Sequence, residues 1–217
     1  MSEPLLDSTF LFRFSVPCLR CDFRWSAKGI ELGPEHVVPS FGEFEGRRKF
    51  ADLRIAWSEE GLLFTVQVTG KRQSVWCRSS RIEDSDGLHV WVDTRDTHNI
   101  HRASRFCHRF AFLPTGGGAS EDQPFGRLLP IDRARENPKS IGDAALRVRA
   151  AVSRDGYSLQ AHVPAAALTG FDPREHSRLG FTYAVIDREQ GWQTLSMGPQ
   201  FPIDHDPSLW GSLELIQ

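Results

Sequence analysis

A chain of 217 residues, 40% hydrophobic and 25% charged, has the composition of a globular protein, which excludes disorder and collagen-like fibres. The formal net charge of −2 argues against a strongly basic nucleic-acid protein and against an acidic solvating tail. No apolar run approaches the roughly 18 residues of a membrane helix, so no membrane partner is expected. Among the 26 cationic residues only Lys28, Lys49, Lys71 and Lys139 are lysine. Such an arginine-rich chain fits a GC-rich bacterial genome. It also fits a surface whose planar guanidinium forks meet carboxylate, sulfate or phosphate. The start, Met1-Ser-Glu-Pro-Leu-Leu-Asp7, has no basic leader followed by an apolar segment. That predicts a cytoplasmic protein with free thiols.

In chain order, the period is that of strands almost everywhere. Residues 9–16 are β-rich and end at Pro17. Residues 52–57 alternate, with Leu53, Ile55 and Trp57 on one face. Ser58-Glu-Glu-Gly61 reads as a turn, and 62–68 return with Leu62, Phe64, Val66 and Val68 on one face, which predicts a hairpin. Residues 87–93 repeat the pattern, with Leu88, Val90 and Val92 opposite His89, Trp91 and Asp93. Residues 106–113 continue it. Residues 146–152 and 157–163 flank Ser153-Arg-Asp-Gly156 as a second hairpin, and 179–186, 192–197 and 209–216 give three more strands. A single short helix is expected over 165–168, opened by Pro164 and ended by Gly170. Residues 29–48 and 114–143 read as long irregular loops within one domain spanning 1–217. The expected fold is an all-β antiparallel sandwich of about ten strands.

The order of these segments resembles the family-9 carbohydrate-binding modules within the wider DOMON-like sandwiches. Ala51-Asp-Leu-Arg-Ile-Ala-Trp57 and Gly61-Leu-Leu-Phe-Thr-Val-Gln-Val68 are similar to the family's second and third strands. Asp86-Gly-Leu-His-Val-Trp-Val-Asp93 looks like its next strand. Gly156 to Pro164, Gly180-Phe-Thr-Tyr-Ala-Val-Ile-Asp187 and Asp206-Pro-Ser-Leu-Trp-Gly-Ser-Leu-Glu-Leu-Ile216 look like its late strands. The resemblance implies a β-sandwich that binds sugar and performs no chemistry. It also implies a site in which two tryptophans clamp a terminal sugar. Trp76 can stand for the first, whereas Asp204 occupies the place of the second. His89 stands on the strand that usually carries a carboxylate, and Arg109 is similar to a sugar-binding arginine of the family.

The densest polar stretch, 93–109, holds four arginines and three histidines. Guanidinium and imidazole donors suit acidic or sulfated glycans; equally, these arginines pair with Asp84, Asp86, Asp93 and Asp96 and only fix a loop. Flat rings at a surface stack on sugar C–H faces. The expected ligand-binding residues are therefore Trp76, His89, Trp91, Arg105, His108 and Arg109, with a carbohydrate as partner. The alternative is an interaction domain with a protein partner, which keeps the fold and has lost the sugar. Cys18-Leu-Arg-Cys21 is a lone C-x-x-C without a second pair, so no zinc site is expected. Asp84-Ser-Asp86-Gly87 is similar to the start of a calcium loop, but Arg95 stands at its twelfth position, which leaves only a looser calcium site possible. No cofactor or catalytic residue is expected, because no hydrolase, zincin or phosphate-loop motif occurs.

Overall fold

The computed structural model describes residues 8–26 and 29–217. It contains eleven strands: β1 Ser15–Arg20, β2 Ala51–Ser58, β3 Gly61–Val68, β4 Gly87–Asp93, β5 Cys107–Gly117, β6 Gln123–Leu129, β7 Arg147–Ser153, β8 Gly156–Pro164, β9 Arg178–Asp187, β10 Gly191–Thr194 and β11 Gly211–Ile216. They form one sheet in the order β6-β5-β4-β9-β11-β1-β2-β3-β8-β7, with β10 beside β9. The sheet curls until its two end strands meet. A Cβ added to Gly126 of β6 would lie 2.7 Å from Val148 Cγ2 of β7.

The expected antiparallel sandwich is corrected here: the strands form a mixed, nearly barrel-shaped sheet. Strand β1 runs parallel to β11, with Val16 opposite Leu213 and Cys18 opposite Leu215, and parallel to β2, with Leu19 opposite Ala56. A period of two gives the faces of a strand but not its direction, so alternation alone could not reveal this. The first strand also lies later than residues 9–16, and residues Ser8–Leu11 form a 3-10 turn. Pro17 sits inside β1, which pairs with β2 only from Leu19 onward. One flank is thus open where the proline lacks its N–H, and a strand tolerates proline there.

The region 114–143 is likewise not all loop. Strand β5 runs to Gly117, and β6 follows as a strand whose in-sheet neighbour is β5. Gly126, read as a loop signal, is needed because a side chain would meet both Val148 and Phe112. No α-helix occurs among the described residues. The expected helix is a single 3-10 turn, Ala165–Ala167, because Pro164 still belongs to β8 and the chain turns away at Gly170 with φ +80°.

The inward faces make one apolar interior. Leu53, Ile55, Phe64, Phe110, Phe112 and Phe181 are fully buried within it. Each such side chain contributes about 1.5–3 kcal/mol through burial. Where β2 turns into β3, Gly61 has φ +133°, and a Cβ there would lie 2.1 Å from the Val163 carbonyl. None of the described helices is long and apolar enough to cross a membrane.

Candidate functional site

The loop from β3 to β4 is held by a buried ion cluster. Asp86, just before β4, and Asp187, at the end of neighbouring β9, both point at the ammonium of Lys71. Lys71 Nζ is 3.1 Å from Asp86 Oδ2, and the three side chains are at most 1% exposed. Burial alone would lower the Lys71 pKa, but the two carboxylates outweigh it and the pKa is raised. The other carboxylate lone pairs accept backbone N–H groups. Asp86 takes those of Trp76 at 3.0 Å and Arg188 at 2.8 Å, and Asp187 takes those of Glu189 and Gln190 at 2.9 Å. An internal ammonium therefore lies between the carboxylates, and Asp84 instead pairs at the surface with Arg81 at 2.6 Å. Among the described residues no group of three or more histidine, cysteine or acidic side chains could hold a metal ion.

This cluster positions Trp76, which is half-buried. The Arg188 guanidinium lies over its ring at 4.4 Å and that of Arg81 at 5.6 Å. Such cation–π contacts contribute about 0.5–1 kcal/mol each at exposed sites. Arg188 is exposed and forms no ion pair among the described residues, so its donors remain available.

Three other expected residues meet on the outer face of β4 and β5, where Trp91 stands opposite Arg109. This face is covered by the loops around 94–106, 130–136 and 198–210. Ala103, Ile131, Ala184 and Trp210 pack there against Trp91, which is 1% exposed. Trp91 Nε1 donates to the Asp204 carbonyl at 3.0 Å. Asp204, expected from the resemblance at the place of a second tryptophan, thus supplies a backbone acceptor that fastens a loop over Trp91. Arg109 is buried, stacks on Trp91 at 5.2 Å and forms an ion pair with Glu83. His89 is fully buried, with Nδ1 3.5 Å from Arg109 Nη2. Burial, with the guanidinium second, lowers its pKa to about 3, so the ring is neutral at ordinary pH.

His108 and Arg105 do not join them. Adjacent strand residues face opposite ways, so His108 points inward and stacks on Phe110 at 6.0 Å while Arg109 points outward. His108 Nε2 accepts the Thr169 N–H at 2.8 Å, and burial lowers its pKa to about 4. Arg105 is exposed on the loop, with its guanidinium 5.1 Å over the Phe106 ring. Of the six expected residues, Trp76 and Arg105 reach solvent; His89, Trp91, His108 and Arg109 belong to the interior. The four cysteines are free thiols: Cys18, Cys77 and Cys107 are buried, and Cys21 is half-buried.

The sequence reading passed over a cleft of about 480 Å³ between the first aromatic segment and the β4–β5 loop. Phe10, Phe12 and Phe14 line one side; His98, His101, Asp206 and Ser208 line the other. The signal for it was Phe10-Leu-Phe-Arg-Phe14, three phenylalanines at alternating positions. They read only as part of a β-rich run, but the strand begins only at Ser15. In the cleft, Ser208 Oγ and Asp206 Oδ2 meet the same nitrogen of His101, Nδ1, at 3.1 and 3.2 Å. A proton relay from serine to histidine to carboxylate needs both ring nitrogens, so these three are a hydrogen-bonded cluster and not a catalytic triad.

No protein-family model and no curated protein matches the sequence. Solved structures do match the fold. A family-9 carbohydrate-binding module from Caldicellulosiruptor kristjanssonii, in complex with cellotriose, superposes with a TM-score of 0.62 at 12% identity over 94% of each chain. The fold is similar to that of a family-9 carbohydrate-binding module. The same module with glucose gives 0.61 at 11% identity, covering 94% of this chain and 95% of the module. A candidate carbohydrate-binding protein from Bacteroides uniformis gives 0.55 at 13% identity, covering 93% of this chain and 98% of that one. At this level of identity the likeness to the module is one of fold, and the side chains of the site must be weighed for themselves.

Proposed function

We propose that this protein is a non-catalytic carbohydrate-binding module. The observation that carries the reading is the agreement of fold along nearly the whole chain with a module that holds cellotriose or glucose. The Trp76 corner supports it: a half-buried indole is fixed by the Lys71 cluster, with the Arg188 guanidinium, free of ion pairs among the described residues, stacked over its ring. An indole face receives the C–H face of a pyranose, and a guanidinium fork receives a carboxylate or sulfate. The corner accordingly favours an acidic or sulfated sugar over a neutral one. Arg105, exposed on its loop, is a further donor of the same kind. Buried Arg109, stacked on Trp91, pairs with Glu83 of the turn Ile82–Asp84 in the same β3–β4 loop that carries Trp76.

Calorimetric titration with cellotriose and with uronate-bearing and sulfated oligosaccharides tests the reading. The expected result is binding of the uronate-bearing and sulfated sugars that Trp76→Ala weakens about tenfold or more. Arg188→Ala is expected to weaken the charged sugars selectively, in a salt-dependent manner. Absence of binding to every one of these sugars by the folded protein would refute the proposal.

A further inference from the structure

We propose that the cleft between residues 10–14 and the β4–β5 loop is a second sugar subsite, one that receives a neutral pyranose residue. The proposal rests on the carbohydrate-binding reading above but uses none of the residues of the Trp76 corner. At about 480 Å³ the cleft falls within the roughly 300–1,000 Å³ of small-molecule sites.

One wall is aromatic and held open to solvent. Phe12 is 62% exposed and Phe10 is 40% exposed. The exposed large hydrophobic side chains among the described residues are Phe10, Leu11, Phe12, Phe44, Val152 and Ile216, and four of these six lie on this one surface. Clustered exposure of this kind marks a binding surface, whereas scattered apolar residues do not. The rings are also braced: Phe10 stacks on Phe201 at 5.3 Å and Phe14 on Phe41 at 3.9 Å. A platform fixed by its neighbours loses little side-chain entropy when a ligand lands on it.

The facing wall offers both donors and acceptors. His101 engages Asp206 and Ser208 through Nδ1, which leaves Nε2 without a partner among the described residues. Its side chain is 78% exposed. Arg13 lines the same cleft and forms no ion pair among the described residues. Asp206 contributes acceptor oxygens. Sugar hydroxyls both donate and accept, so a pyranose satisfies this mixed set. An anion would gain Arg13 but meet Asp206. An apolar peptide would leave imidazole, guanidinium and carboxylate unpaired under its footprint. The chemistry therefore selects a neutral sugar.

The test is calorimetric titration of the full chain with a neutral gluco-oligosaccharide. Wild type is compared with Phe12→Ala, His101→Ala and Trp76→Ala, and amide shifts are followed by NMR. Both cleft substitutions lie on exposed side chains, and unchanged thermal unfolding would show that the fold is retained. Expected are shifts at residues 10–14 and 98–101, and binding about tenfold weaker in each cleft variant but retained in Trp76→Ala. Should Trp76→Ala alone abolish neutral-sugar binding while the cleft variants bind as wild type, the cleft assignment falls and the carbohydrate reading stands. The cleft assignment falls in the same way if only charged sugars bind. Silence with neutral and charged sugars alike removes both. A dimer that dissociates in Phe12→Ala, with no sugar-dependent shift in the cleft, assigns the surface to a second copy of this chain and overturns the proposal.

Discussion

Lys71 shows how much one side chain decides. Two carboxylates with at most 1% exposure would carry a large desolvation cost without a counter-charge, and the Lys71 ammonium supplies it. Truncating one partner of such a group leaves unpaired buried charge, so Lys71→Ala is expected to lower stability by roughly 3–5 kcal/mol in denaturant unfolding. A loss below about 1 kcal/mol, the scale of a surface pair, would show that the cluster is not desolvated as described. The buried histidines make a second prediction. In the unfolded chain imidazole titrates near 6.5, whereas His89 and His108 titrate at about 3 and about 4 in the fold. Between those values the unfolded state binds more protons. The stability contribution of these rings is therefore complete above about pH 6.5 and is lost progressively as pH falls toward 4 and then 3. Denaturation midpoints measured from about pH 8 downward should decline below about pH 6.5, and His108→Gln should make the decline shallower.

Among the elements, hairpins were the most legible. The β2–β3 and β7–β8 pairs lie within a residue or two of where alternation and their Gly-containing turns put them, because both signals are local. Strand β4 occupies 87–93 as read. Strand β6 was hidden because Pro124 and Gly126 speak for a loop, yet its pairing with β5 and the closeness of β7 override them. The residue pattern of the candidate site was half legible for the same reason. Alternation separates His89 and Trp91 from Val90, but it cannot say that the outer face would be roofed by loops from 94–106 and 198–210. Turn geometry supplies a prediction at this scale. Gly61→Ala combines a positive φ with a backbone clash, so the variant should be destabilised by several times the roughly 1 kcal/mol typical of a substitution, or fail to fold. Unfolding of that variant at the wild-type midpoint would contradict the turn.

For the whole molecule, the decisive contact is β1, which lies between β11 and β2 and joins the two ends of the chain into one sheet. Trp57 Nε1, donating to the Ile216 carbonyl at 3.0 Å, closes the same seam. Removing residues 1–20 would leave β11 and β2 without their shared neighbour and open the shell across its middle. Such a chain is expected to lose cooperative unfolding, as followed by near-ultraviolet circular dichroism during a denaturant titration; a transition as sharp as that of the full chain would show that the two halves hold without β1.

What the sequence determined unaided is most of the strand segments, which of their faces are apolar and that the architecture is all-β, because alternation, turn residues and charge are properties of neighbours along the chain. Tertiary structure alone decided that β1 runs parallel, that the sheet curls toward closure, that Lys71 serves Asp86 and Asp187, and that Trp91 and Arg109 are covered while Phe12 and His101 face solvent. Those outcomes depend on contacts between residues distant along the chain, such as Lys71 with Asp187 and Trp91 with Asp204. A local pattern holds no record of which distant surface will arrive to cover it.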